Sequence, residues 1–467
     1  MLRDIRSSFS NWKRLLASTS VVILGLAGGF FVTALEHSAS DTDPAPGVPV
    51  EVTAVPSIET AVPVADALRL RTCHVEGPEL SADTVLHASV LLASTGEELW
   101  SEGAETAVTP ASVMKVLTAR AALAVLGEDY RFRTRVLFDP VGNRLVVVGG
   151  GDTTLTRLPI GSSSYYPGAA HVDTLLDQSV VFLESRGLKG SPLTLLVDQS
   201  RYASFPAWDD SWRPGSEQLG FIAPISSFHL DGGRDDPSER ISPRSSDPSL
   251  RALGLVESGL LARGVELVSS EMTGEAVSED GLILVSVVSS SPVSDLVGQM
   301  LRDSDNQLAE MLIRETAVAA GVNSFEEAIR LGLPEDLRQT TELFVQDGSG
   351  LSPLNQVSPH LVALLLRDVV ADPQWAALRD GLPRPGGSGS LARRFTGVAG
   401  DAAPFVRAKT GTLTGVRSLA GIVGEGEDTL VFSVMVSGTG VDDSERGAID
   451  GLVTEWFRCG ENLSHWK

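Results

Sequence analysis

The sequence predicts a mixed α/β protein of the α+β type, in which helices flank an antiparallel sheet. Strand-like apolar runs lie near both ends of the globular part, and a well-delimited helical pattern follows the first of them. Short strand-like pieces separated by loops occupy the middle. Because both ends supply strands, we expect one main domain at residues 73–135 and 290–467, interrupted by a mainly β insertion domain at 136–289.

The first elements follow from local patterns. Residues 85–92 are an apolar run rich in Val and Leu, and a Ser-Thr-Gly turn separates them from 97–100, which predicts a hairpin. Thr109 as N-cap and Pro110 at the first helical position predict a helix that Gly127 terminates.

The remaining predicted elements are three short strands in the middle, three strands near the C-terminal end and a closing helix. They lie at residues 145–148, 193–197, 282–288, 405–409, 416–423, 429–436 and 442–458.

The composition excludes several classes of protein. The 467 residues correspond to about two or three domains, and 42% hydrophobic residues exclude a wholly disordered chain. A nucleic-acid-binding protein needs a basic face, so a net charge of −23 argues against nucleic acid as a partner. A motif that requires lysine must use one of five positions. These are Lys13, Lys115, Lys189, Lys409 and Lys467.

The N-terminal part predicts an extracytoplasmic protein. Residues 1–14 form a basic cytoplasmic head, and residues 15–35 carry no charge over a length that spans about 30 Å of bilayer core. We interpret 15–35 as a membrane anchor; the alternatives are a cleaved signal peptide, which leaves a secreted protein, and a buried core helix. Residues 36–72, rich in Pro, Ala and acidic residues, predict an extracytoplasmic linker.

The only two cysteines, Cys73 and Cys459, flank the globular part. Since an oxidising compartment permits disulfides, we predict that they join its two ends. The alternative is a pair of buried free thiols.

An SxxK sequence runs from Ser112 to Lys115 at the start of the first predicted helix. Residues i and i+3 share a helix face, so the hydroxyl and the amine become neighbours. Serine needs a nearby base to act as a nucleophile, and a lysine with a depressed pKa is one. The motif alone is weak, because Ser10 and Ser464 begin further matches and an ordinary helix start is the alternative.

Ser304 and Asn306 form an SxN sequence between two helical patterns. A serine can pass a proton, and an asparagine amide can both donate to a peptide and accept from it. A polar helix cap is the alternative.

Lys409, Thr410 and Gly411 form a KTG sequence on a predicted strand. A lysine and a threonine can bind a carboxylate, and a glycine lets a substrate backbone approach closely.

SxxK, SxN and KTG occur in the order found in β-lactamases and penicillin-binding proteins. The chain resembles the class C low-molecular-weight penicillin-binding proteins, the D-alanyl-D-alanine carboxypeptidase/endopeptidase family of serine peptidases. Segments 149–156, 223–226, 347–352 and 406–421 carry the resemblance further. It implies a serine β-lactamase/transpeptidase-like main domain. The sequence contains neither a GxSxG nor an HExxH motif.

The resemblance implies a role for each matched position. Ser112 would be the acylated nucleophile and Lys115 its proton acceptor. Ser304 would relay the proton to the leaving amine, Asn306 would hold the substrate amide, and Lys409 would tune the electrostatics of the site.

The resemblance also implies substrate contacts. Thr410 would bind the terminal carboxylate together with Lys409, and Gly411 would also contact the substrate. The backbone N–H groups of Ser112 and Thr412 would form the oxyanion hole. Asp152 is a candidate contact to the peptide, with a turn aspartate as the alternative.

The implied function is a serine-type D-Ala-D-Ala carboxypeptidase, with D,D-endopeptidase activity also open, acting on peptidoglycan stem peptides without a metal or cofactor. β-Lactams would acylate Ser112. A β-lactamase and a non-enzymatic cell-wall-binding protein are the alternatives. The chain has Thr153 and Pro353 where relatives commonly carry Pro and Arg, so recognition of the peptide side chains can differ.

Overall fold

Two five-stranded sheets organise the part of the chain that the computed structural model describes, residues 71–464. Within these residues the strands are β1 (Cys73–His74), β2 (Thr84–Leu92), β3 (Glu98–Glu102), β4 (Arg133–Asp139), β5 (Arg144–Val148), β6 (Leu193–Asp198), β7 (Leu267–Thr273), β8 (Ile283–Ser289), β9 (Leu343–Phe344), β10 (Gln356–Val357), β11 (Val406–Leu413), β12 (Val416–Val423), β13 (Leu430–Gly438) and β14 (Leu463–Ser464). The α-helices of the same residues are α1 (Met114–Leu126), α2 (Val172–Ser185), α3 (Pro248–Ala262), α4 (Val293–Asp303), α5 (Asn306–Ala320), α6 (Phe325–Gly332), α7 (Pro359–Ala371), α8 (Ala376–Gly381) and α9 (Ser444–Cys459).

The first sheet is antiparallel throughout, in the order β11-β12-β13-β2-β3. Alternate residues of a strand point to opposite faces. Val431 and Met435 of β13 therefore pack with the helical layer that contains α1, α4, α5 and α7, whereas Phe432 and Val434 pack against α9. Strands from both ends of the globular part meet in this sheet, and helices flank both of its faces. The predicted fold class is confirmed.

The second sheet is mixed, in the order β7-β6-β5-β4-β8. Strands β5, β6 and β7 pair in parallel, and parallel neighbours need a crossover connection that a helix usually supplies. Helices α2 and α3 are these crossovers, and Leu175 and Val256 pack into the core beneath the sheet. The prediction of a mainly β segment omitted both helices. Strand β4 begins at Arg133, and the domain boundaries at 136–289 stay a prediction.

The first predicted helix ends as expected before Gly127, but the predicted cap is wrong. A 3-10 turn at Ala111–Val113 precedes α1, and its N-cap position is held by Pro110 without a side-chain hydrogen bond. The Thr109 hydroxyl instead donates to the Pro353 carbonyl at 2.9 Å. A long-range contact has displaced the local capping interaction.

Cys73 and Cys459 form a disulfide, with their Cα atoms 5.5 Å apart, so the predicted pairing is confirmed. Strands β1 and β14 pair in parallel beside it. The rings of Trp100 and Trp456 pack nearby, with centroids 5.1 Å apart. The two ends of the globular part are therefore held together covalently and by packing.

The predicted membrane anchor at residues 15–35 lies outside the described residues, as do the head and most of the linker. Among residues 71–464, no helix has both the length and the apolar character that crossing a membrane requires.

Candidate active site

The SxxK residues meet at the junction of the 3-10 turn and α1. Lys115 is fully buried. Its Nζ donates to Ser112 Oγ at 3.0 Å, to Asn306 Oδ1 at 2.7 Å and to the Ser349 carbonyl at 2.5 Å. An ammonium group fills all three contacts. A neutral amine keeps two N–H donors and has a lone pair for the Ser112 hydroxyl proton.

The turn that presents Ser112 is strained. Ala111, the preceding residue, has a φ of +49°, in the left-handed region that residues with a Cβ rarely adopt. Such backbone costs about 1–3 kcal/mol and persists only where the surroundings enforce it. Here a Cβ on Gly350 would lie 1.9 Å from the Ala111 carbonyl oxygen, so the neighbouring loop packs directly against this turn with no room for a side chain. The position of Ser112 is thus imposed by tertiary contacts.

The SxN residues lie at the junction between α4 and α5. Ser304 ends α4 with a φ of +58°, and Asp305 caps α5 by accepting a hydrogen bond from Leu308 N at 3.0 Å. Asn306 is the first residue of α5, and its amide connects Lys115 to the Phe221 carbonyl, to which Nδ2 donates at 3.1 Å. The polar cap given as the alternative is real, but Asp305 forms it, which leaves the side chains of Ser304 and Asn306 for the cleft.

The KTG residues lie on β11, the edge strand of the first sheet. Lys409 is fully buried, and its Nζ donates to Ser304 Oγ at 2.9 Å and to the Thr410 carbonyl at 2.7 Å. A Cβ on Gly411 would lie 2.1 Å from Ser418 Oγ and 2.8 Å from the Pro110 carbonyl. Only a glycine lets this strand come so close to the turn that carries Ser112.

Burial lowers the pKa of both lysines, and the charges around them differ. Burial lowers the pKa of Lys115 from 10.5 to about 8, while the carboxylates of Asp347, Glu310 and Asp305 oppose the shift. Burial also lowers the pKa of Lys409 well below its usual value, and the positive charge of Lys115 lowers it further. Lys115 therefore exchanges a proton near neutral pH.

Two buried carboxylates that sequence reasoning gave no role hold the loop that faces Lys115. Glu310 Oε1 accepts from the backbone N–H groups of Gly348 and Ser349 at 3.0 and 2.8 Å. Asp347 accepts from Gly350 N and Ser352 N, both at 2.7 Å. They fix the Ser349 carbonyl against the amine. The sequence pointed to this loop only through the resemblance of residues 347–352.

The motifs open into a cleft of about 1130 Å³. Of the predicted site residues, it is lined by Ser112, Ser304, Asn306, Thr410 and Thr412. Lys115 and Lys409 lie buried behind its serines, and Gly411 packs against Ser418 and the turn of Pro110 and Ala111.

Residues 211–244 supply a wall of this cleft that sequence reasoning missed. Phe221 is tied to the site through Asn306, and Trp212 Nε1 donates to Asp347 Oδ2 at 2.8 Å. The one available signal was the resemblance of residues 223–226, where Ala223 N donates to Gln307 Oε1 at 2.9 Å.

The structure places Asp152 outside the cleft. It is 4% exposed, and its Oδ1 accepts from Thr154 N at 2.8 Å and from Thr154 Oγ1 at 2.6 Å. Burial raises the pKa of its carboxyl to about 6, and these hydrogen bonds oppose the rise. Its burial and its hydrogen bonds to Thr154 favour the turn aspartate that was the alternative, and the substrate contact stays a prediction.

Comparison with known proteins shows one family. The model of the D-Ala-D-Ala carboxypeptidase 3 (S13) family matches residues 71–239 and 234–456. A carboxypeptidase DacB of Mycolicibacterium smegmatis is 35% identical over 94% of this chain and 95% of its own length. A D-alanyl-D-alanine carboxypeptidase of an Actinomadura species is 28% identical over 78% of this chain and 79% of its own length.

Solved structures show the same fold. Penicillin-binding protein 4 (dacB) of Haemophilus influenzae superposes with a TM-score of 0.67 at 19% identity, over 83% of this chain and 98% of its own. A second structure of that protein, in complex with a β-lactam, superposes with a TM-score of 0.63.

Proposed function

We propose that this chain, which belongs to the D-Ala-D-Ala carboxypeptidase 3 (S13) family and is a serine-type D-Ala-D-Ala carboxypeptidase, acts through an acyl-enzyme on Ser112. One observation carries the assignment of the nucleophile. The Lys115 amine, with a pKa of about 8, lies 3.0 Å from the Ser112 hydroxyl inside a cleft that the other two motifs complete. A nucleophile and a base within hydrogen-bond distance meet the geometric requirement for attack on an acyl group.

In the acylation step, Ser112 Oγ attacks the carbonyl carbon of the penultimate D-alanine while its proton moves to neutral Lys115. The C–N bond of the tetrahedral intermediate then breaks, and the amine of the terminal D-alanine leaves with a proton that Ser304 passes on. The hydrogen bond from Lys409 to Ser304 supports this relay. Attack of water on the ester releases the shortened peptide and restores the Ser112 hydroxyl.

We assign the substrate contacts by their place in the cleft. Thr410 and Lys409 bind the terminal carboxylate, and Asn306 holds the peptide amide. The N–H groups of Ser112 and Thr412 bind the developing oxyanion, and such donors contribute about 3–4 kcal/mol each in other hydrolases. Both residues line the same cleft, which supports this pairing.

The protein acts outside the cytoplasm, on stem peptides of peptidoglycan, and we propose that residues 15–35 anchor it to the membrane. The uncharged stretch after a basic head supports the anchor. The β-lactam complex of the Haemophilus protein supports the proposal that penicillin acylates Ser112.

The test incubates residues 71–467 and the Ser112→Ala variant with labelled penicillin and with a peptide that ends in D-Ala-D-Ala. We expect a stable penicillin adduct and release of D-alanine, both abolished in the variant. Rapid turnover of penicillin without an adduct would favour a β-lactamase. An adduct that persists in Ser112→Ala would refute the assigned nucleophile.

A further inference from the structure

Five arginines line the cleft that contains Ser112, in a chain whose net charge is −23. They are Arg213, Arg234, Arg240, Arg244 and Arg417. Four of the five already have partners in the protein. An arginine in the cleft that has no partner in the protein is available to a substrate. The contacts of each guanidinium therefore decide which arginine can bind the substrate.

Two of the arginines are neutralised by carboxylates. Arg234 is 1% exposed and pairs with Asp305 at 2.9 Å. Arg417 pairs with Asp443 at 3.0 Å.

Two others donate to backbone carbonyls. Arg244 is 7% exposed and donates to Gly232 O and Gly220 O at 2.5 and 3.2 Å. Arg240 donates to Asp303 O at 3.1 Å, which connects the wall to the end of α4. These four side chains build the cleft.

Arg213 differs from them. Its side chain is exposed, and within residues 71–464 it forms neither an ion pair nor a side-chain hydrogen bond. A guanidinium presents five N–H donors in a planar fork that matches a carboxylate. Placed in a substrate cleft, this unused fork is a ready site for an anionic group.

The backbone beside Arg213 is held firmly. The indole of Trp212 is 2% exposed and donates to Asp347, the carboxylate that also holds the loop facing Lys115. Ser211 Oγ donates to Ser352 Oγ at 2.7 Å on the same loop. Ser211 and Trp212 therefore hold the backbone at Arg213 against the 347–352 loop that faces Lys115. The position of this backbone relative to Ser112 is fixed, whereas the Arg213 side chain is unpaired within the described residues.

We propose that Arg213 determines specificity by binding a second carboxylate of the substrate, on a residue that precedes the terminal D-Ala-D-Ala. This inference rests on the proposed function, which assigns the terminal carboxylate to Lys409 and Thr410 and so leaves Arg213 for another anion. Arg213 lines the same cleft as Ser112, Leu351 and Pro353. Since the terminal carboxylate is assigned to other residues, we place the contact on the part of the peptide that is retained on the acyl-enzyme.

The test compares two pairs of peptides that end in D-Ala-D-Ala and carry glutamate or glutamine at the first or the second position before that dipeptide. We expect the wild-type enzyme to cleave at least one glutamate peptide with about tenfold higher kcat/KM than its glutamine partner, as a hydrogen-bonded charge pair provides. Arg213→Ala should reduce that ratio to about one and leave cleavage of the glutamine peptides unchanged.

Arg393→Ala is the matched control, since Arg393 is also exposed and without a partner in the described chain but does not line the cleft. It should keep the wild-type ratio. A wild-type ratio near one at both positions, or a ratio that survives in Arg213→Ala, would overturn the inference. Penicillin labelling of Ser112 is measured on the same samples: if it is retained, only the inference fails, and if it is absent in the wild type, the proposed function fails as well.

Discussion

The regions around Lys115 and Lys409 present the same chemical group in opposite surroundings. Both amines are fully buried, and each donates to a serine hydroxyl. At Lys115 the carboxylates of Asp347 and Glu310 oppose the effect of burial on the pKa. At Lys409 the neighbouring charges are cations, which act in the same direction as burial.

The difference separates two tasks. An amine with a pKa near 8 can take a proton from a serine and return it within one catalytic cycle, which suits Lys115. Among the described residues no carboxylate pairs with Lys409, so a carboxylate that entered the cleft would stabilise its ammonium form. Burial lowers the pKa of both lysines, and the neighbouring charges determine whether the amine is suited to accept a proton or to bind a carboxylate.

The largest effects are expected when each amine is removed in turn, which tests whether the two lysines have different roles. Lys115→Ala should slow acylation by penicillin by about 10⁴-fold, the upper range for a lost proton acceptor. Lys409→Ala removes an electrostatic contact and should slow acylation by penicillin by about 10²-fold. Stopped-flow acylation rates measure both.

Lys189→Ala is the control, because Lys189 forms a surface ion pair with Glu184 on the second sheet's side of the molecule. It should acylate at the wild-type rate. Circular dichroism and thermal melts establish that the two active-site variants are folded. Equal losses in both would erase the distinction between the lysines, and a folded Lys115→Ala enzyme with normal acylation would contradict the assigned base.

The pH dependence sharpens the same distinction. The proton acceptor must be neutral, and the Lys115 pKa of about 8 means that the neutral form becomes scarce as the pH falls. Acylation should therefore decrease about tenfold per pH unit below that pKa and level off above it. Second-order rate constants for penicillin between pH 5.5 and 9.5 test this. A flat profile across that range would mean that Lys115 does not set the rate.

A smaller effect on acylation is expected from a change where β11 contacts the turn that carries Ser112. In Gly411→Ala the added methyl group would meet Ser418 Oγ and the Pro110 carbonyl, which pushes β11 away from the Ser112 turn. Overpacking of this kind costs about 1–3 kcal/mol, and we expect acylation to fall about tenfold. Gly447→Ala on α9, where a Cβ meets no atom within 4 Å, is the control. Unchanged acylation in Gly411→Ala would show that the glycine is dispensable for the approach.

Local patterns were sufficient to predict the sheet of the main domain and the helix, junction and strand that carry the three motifs. They failed where distant residues decide. Thr109 has the side chain of a cap, but it bonds to Pro353, which lies 244 residues further along the chain. Asp152 is equally plausible in sequence as a turn residue and as a ligand, and only its burial distinguishes the two.

The wall that carries Arg213 was also beyond sequence reasoning. Trp212 reaches the site through a contact with Asp347, 135 residues away, and nothing in the local pattern around it indicates that partner. Helix α2 was missed for a related reason, since the need for a crossover becomes evident only once β5 and β6 are known to be parallel.

The disulfide has a mechanical consequence. Cys73 and Cys459 are separated by 386 residues along the chain, so the loop they close includes all three motifs. Tension applied between the two ends of the described chain meets the short β1–β14 pair and this covalent link before it reaches the hydrogen bonds of the two five-stranded sheets. A force applied between the two ends would therefore bypass the catalytic cleft. The distance between Lys115 and Lys409 would stay unchanged.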